Sequence, residues 1–72
     1  MNKTYHYEIL PPADIDIRVS DEFDTIEECI EACKADCKAL GIDYNEPYVK
    51  LFLTDDFGEN YEECTEEGEL AG

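Results

Sequence analysis

Four cysteines and a single histidine are the side chains of this 72-residue chain best suited to chemistry. Three of the cysteines, Cys29, Cys33 and Cys37, fall at four-residue steps in the stretch CIEACKADC, and Cys64 stands apart. A structural zinc site closes four ligands around the ion and usually wraps it with a near pair such as Cys-x-x-Cys, which this chain lacks. On a helix the three thiols span two turns, about 12 Å along the axis, so they cannot converge on one ion. A disulfide from the helix to Cys64 is geometrically open, but a chain in the reducing cytosol keeps its thiols free. Redox catalysis needs an exposed thiolate beside positive charge, and burial in an acidic protein suppresses that ionisation. The expectation is four reduced, packed cysteines with no metal and no cofactor.

The remaining candidates are weaker. His6 has no Ser or Cys at a spacing that builds a triad, and alternation in TYHYEIL points it to solvent. Asp14 and Asp16 share a face of ADIDIRVS, yet acids alternating with Ile15 and Ile17 describe a solvated strand rather than a paired acid and base. DDFGEN gathers Asp55, Asp56 and Glu59 as oxygen donors without the spacing of an EF-hand loop, and reads as a turn. No glycine-rich phosphate loop and no basic-aromatic patch is present, so neither nucleotide cradling nor direct nucleic-acid binding is expected. The chain does not read as an enzyme.

The elements that position these residues follow from periodicity. Tyr5, Tyr7 and Ile9 alternate onto one face of a first strand, and Pro11 with Pro12 ends it. Ile15, Ile17 and Val19 are expected inward on a second strand, against Asp14, Asp16 and Arg18 outward. The period then lengthens: Thr25 with Glu28 forms a capping box, with Asp24 and Glu27 an equally good start, and Gly41 suits the left-handed position after a helix over about residues 25–40. Ile26, Cys29, Ile30, Cys33, Cys37 and Leu40 share its apolar stripe, so the cysteines face the core. Val49, Leu51 and Leu53 mark one face of a third strand, with Tyr48, Lys50 and Phe52 on the other. A short fourth strand lies near NYEEC. The fold class is α+β, an antiparallel four-stranded sheet with one helix on one face, in the order strand-strand-helix-strand-strand. Residues 1–65 form the domain, and 66–72, poor in apolar side chains, form a fraying acidic tail. The sheet face away from the helix is left to water or to a partner.

Charge sets the functional class. Twenty acids against five bases give a net charge of −15, which repels nucleic acid and anionic membranes and attracts basic surfaces in a salt-dependent way. No secretory pattern or membrane-length apolar run is seen, so a cytoplasmic setting is expected. The acids concentrate in two patches: Asp21, Glu22, Asp24, Glu27, Glu28 and Glu31, and Asp55, Asp56, Glu59, Glu62 and Glu63. Carboxylates repeated along a helix start and a hairpin can stand in for the phosphate rows that a nucleic-acid-binding groove expects.

In size, charge and layout, with YHYEIL and DIDIRVS strands, an FDTIEECIEACKADCKALG helix and a closing YVKLFLTDDFGENYEE hairpin, the chain resembles the small acidic proteins that phages carry against host defence, of which the anti-CRISPR proteins are the best known. The resemblance implies a non-enzymatic inhibitor acting in the infected bacterial host. Its acidic patches would bind a basic nucleic-acid-binding protein or CRISPR effector complex. The alternative is a small accessory or assembly module that binds through the uncovered sheet face around Tyr48, Lys50 and Phe52, as a homodimer in one form.

Overall fold

The change of period at residue 25 is where the backbone changes element. A computed structural model describes residues 3–11, 17–54 and 61–71. Strand β1 covers Thr4–Ile9, β2 Arg18–Val19, helix α1 Ile26–Leu40, β3 Val49–Thr54 and β4 Tyr61–Cys64. Among the described residues the architecture is α+β, with one helix and a four-stranded antiparallel sheet in the spatial order β2-β1-β3-β4.

Both helix ends are specified locally. Thr25 is the N-cap, its Oγ1 accepting from the Glu28 N–H at 3.2 Å and donating to the Glu28 carboxylate at 3.1 Å. At the other end Gly41 takes φ 74°, donating its N–H to the Lys38 carbonyl while Ile42 donates to that of Cys37. That pair of bonds is a Schellman closure, and the left-handed residue in it favours glycine.

The register explains which residues meet the helix. Tyr7 lies opposite Leu51, which lies opposite Cys64, so all three share one sheet face. With Ile9 they meet Ile26, Cys29, Cys33 and Cys37 in a single core. Ile9, Cys29 and Cys33 are fully enclosed, and burying a side chain the size of Ile9 contributes ~1.5–3 kcal/mol.

Strand β2 departs from the expected pattern. Glu8 pairs with Val19 and Ile9 with Arg18, whereas Tyr5 forms an isolated bridge to Phe23. The segment from Arg18 to Phe23 therefore carries one extra residue between these pairings, a β-bulge around Ser20–Glu22. Ser20 services it: its Oγ accepts from the Tyr7 N–H at 2.9 Å and donates to the Asp21 carbonyl at 2.8 Å. A one-residue shift reverses the face of every side chain before it. Val19 and Ile17 are accordingly not inward; they are 62% and 65% exposed. Arg18, expected outward, lies opposite Ile9 on the helix side, its Nη1 3.6 Å from Asp36 Oδ1. Phe23, beyond the bulge, packs against the core and stacks on Tyr7 with ring centroids 6.4 Å apart. Asp14, Ile15 and Asp16 lie outside the described residues.

The chain after β4 also has a definite course. Thr65 holds it: its N–H donates to the Glu69 carbonyl, its carbonyl accepts from Gly68, and its Oγ1 accepts from the Glu67 and Glu69 N–H groups. Leu70 then bridges back to Cys64 and Ala71 donates to the Glu63 carbonyl. Residues 65–71, poor in apolar side chains, are tied to β4 through their backbone.

Candidate partner-binding surface

The acids of the first patch are set out by three pieces of local structure. Asp21 and Glu22 sit at the bulge, Asp24 just before the N-cap, and Glu27, Glu28 and Glu31 on the first two turns of α1. All six are exposed, and none is in an ion pair among the described residues. The positive end of the helix dipole favours Glu27 and Glu28 locally. Glu28 has a second duty in the cap described above, and Glu22 accepts a hydrogen bond from Thr4 Oγ1 on the sheet face away from the helix. On the helix, Glu27 and Glu31 have neither commitment and lie one turn apart, ~6 Å along the axis.

The second patch does not come together in the same way. Glu62 lies opposite Leu53 and Glu63 opposite Phe52, so these neighbours point to opposite faces of the sheet. Glu63 is paired with Lys50 at 3.6 Å. Asp55, Asp56 and Glu59 lie outside the described residues.

The face away from the helix carries an aromatic group. His6 stacks on Phe52 with ring centroids 5.1 Å apart and an interplanar angle of 16°. Tyr61 meets both rings edge-on, at 5.1 Å from His6 and 5.2 Å from Phe52. His6 was expected to face solvent, yet it is only 7% exposed, because its ring is enclosed by these neighbours and its Nε2 is 3.0 Å from Glu8 Oε2. Tyr48, expected on this face, packs against the helix-side core instead.

The cysteines are free and buried. Burial, and then the neighbouring Cys64, push the Cys29 thiol up to about 11. Burial also raises Cys33, Cys37 and Cys64. A raised pKa keeps a thiol protonated and poorly nucleophilic near neutrality. Among the described residues no group of three or more His, Cys, Asp and Glu side chains is placed to hold a metal ion, and no helix is long and apolar enough to cross a membrane.

One polar constellation was missed by sequence reasoning. Tyr7 donates its phenol to Asp36 Oδ2 at 2.5 Å, and the same carboxylate is the partner of Arg18. Burial, followed by this hydrogen bond, raises the Tyr7 pKa. The signal was present: Asp36 falls seven residues after Cys29, two helical turns along the apolar stripe, where an acid requires a partner. The grouping ties β1, β2 and α1 together through one carboxylate. Comparison with family models, with curated proteins and with solved structures found no match.

Proposed function

We propose that this protein is a non-enzymatic inhibitor of the phage anti-defence kind, of the anti-CRISPR type. Its acidic surface occupies the Lys/Arg-rich channel of a nucleic-acid-binding effector complex in the bacterial cytoplasm and excludes the nucleic acid. The observation that carries this reading is the run of exposed carboxylates from Asp21 to Glu31, without an ion-pair partner among the described residues, on a chain of net charge −15. Such a surface meets a phosphate-binding groove with the sign and repetition that groove is built to recognise.

The test is competition for a CRISPR effector complex between labelled guide or target nucleic acid and the protein, at two ionic strengths. Wild type should displace the nucleic acid and lose potency steeply as salt rises. Glu27→Lys with Glu31→Lys should abolish competition while the far-UV spectrum is unchanged, since neither carboxylate is used by the cap. Glu62→Lys with Glu63→Lys tests the second patch. If both reversed proteins compete as well as wild type, the mimicry reading fails.

A second reading is favoured by the aromatic group on the open sheet face, where Tyr61 is 55% exposed. In this reading the protein is an assembly or accessory module that docks through Lys50, Phe52 and Tyr61, self-associating in one form. Its binding would persist in high salt, because apolar contact is not screened.

A further inference from the structure

The pairing of β3 with β4 stops at Leu51 opposite Cys64, although β3 begins at Val49. Beyond that point the chain turns away at Thr65, and a groove of about 650 Å³ opens between this turn and the Tyr44–Pro47 segment that leads into β3. Its lining combines two chemistries. Tyr44, Pro47, Val49 and Leu51 give an aromatic and aliphatic wall, and Glu66 and Glu67 supply exposed carboxylates. Glu63, also in the lining, is held by Lys50, whereas Glu66 and Glu67 have no ion-pair partner among the described residues. Tyr44 already faces a cation from within the chain: Lys34 Nζ lies 5.2 Å from its ring centroid.

Long basic side chains have the matching composition, an apolar stem that covers hydrocarbon and a cationic head that seeks carboxylates and aromatic faces. The volume is within the ~300–1,000 Å³ of ordinary ligand sites, larger than one side chain requires. We infer that this groove seats a short Lys/Arg-bearing segment of the protein's partner, with the stems along Tyr44, Pro47 and Val49 and the heads at Glu66 and Glu67. This deepens the reading of a basic partner and rests on it. It adds a shaped recognition site, remote in sequence from the Asp21–Glu31 patch, to what would otherwise be attraction by net charge alone.

The experiment titrates the full chain, labelled for backbone amide NMR, with a short Arg-Gly repeat peptide. Three proteins are compared: wild type, Glu66→Gln with Glu67→Gln, and Glu27→Gln with Glu31→Gln. Both variants lose the same charge, so bulk attraction falls equally in each. Shift changes centred on Tyr44, Val49, Leu51, Cys64 and Thr65 are expected, with affinity weakened about tenfold in the groove variant and less than about twofold in the helix variant. Changes confined to residues 21–31, or equal weakening in the two variants, would overturn the groove while leaving the mimicry reading standing. No salt-dependent binding of the peptide anywhere would sink both. The amide spectrum of each free variant shows whether its fold is intact.

Discussion

Gly68→Ala tests how firmly the C-terminal turn is seated. Gly68 sits at φ 81°, and a β-carbon placed there would lie 3.3 Å from Tyr5 Cε1, 3.3 Å from Tyr5 Oη and 3.5 Å from Ile26 Cβ. Two costs follow. An L-residue in left-handed backbone loses ~1 kcal/mol relative to glycine. The methyl must also displace a half-buried Tyr5 ring, an overpacking cost of ~1 kcal/mol. Gly41→Ala separates the two, because Gly41 has a similar φ of 74° with nothing within 4 Å of its added β-carbon. Equilibrium urea unfolding followed by far-UV circular dichroism should therefore show a loss of ~1 kcal/mol for Gly41→Ala and ~2 kcal/mol for Gly68→Ala. Against a net stability of ~3–5 kcal/mol for a domain this small, the second change is severe. It corresponds to roughly 8–16 °C in Tm. Equal losses in the two variants would show that the turn does not rest on Tyr5 and Ile26. A Gly68→Ala loss below ~0.5 kcal/mol would refute the left-handed geometry as well.

Other outcomes can be checked with the same purified protein. In the native state all four thiols should react slowly with a thiol reagent at pH 8, and rapidly once urea unfolds the chain; fast native reaction at any of them would contradict their burial. The folded Cys29 thiol keeps its proton where the unfolded one, with an ordinary value of 9, loses it. Its stabilisation is thus complete below pH 9 and is lost as pH rises toward about 11, so unfolding midpoints should fall across that window. Tyr7→Phe should cost ~1–2 kcal/mol, and much less in an Asp36→Asn background, if the phenol and carboxylate act as a pair. Val19→Thr should change stability by less than ~0.5 kcal/mol, since the bulge leaves this residue exposed. Raising salt from low to physiological strength should raise Tm by screening carboxylate repulsion, and a fall would count against charge as the dominant strain.

The helix was legible because its signals are local and redundant. Thr25 with Glu28 and Gly41 fix its two ends, and the spacing of Ile26, Cys29, Cys33 and Cys37 fixes its inner face. Strands β1 and β3 were legible because alternation runs over six residues in each and they pair in one register with no bulge to reverse a face. The face of β2 was not. Alternation from Ile15 to Val19 holds equally for either side of a sheet, and the face is chosen by a bulge at Ser20–Glu22 that leaves no mark in hydrophobicity. Alternation set His6 on the right face but not its burial, which is imposed across strands by Phe52 and Tyr61. The turn after β4 was invisible to an apolar count because Thr65 and backbone groups hold it. Of the acidic surface, the helical portion could be read directly. The opposed directions of Glu62 and Glu63 could have been, from the two-residue period of a strand.

The return of Leu70 and Ala71 along β4 bears on how the molecule behaves in a crowd of its own copies. An exposed sheet margin is a template on which another chain can add a strand, and soluble proteins guard against it. Here one margin is occupied over Glu63 and Cys64 by the chain's own last turn, and the other is a strand of two residues bent by a bulge. Among the described residues neither side offers a long straight run of unpaired amides. With like charge repelling every approach, the protein should stay dispersed at high concentration, and removing residues 66–72 should bring on edge-to-edge aggregation before the fold itself is lost.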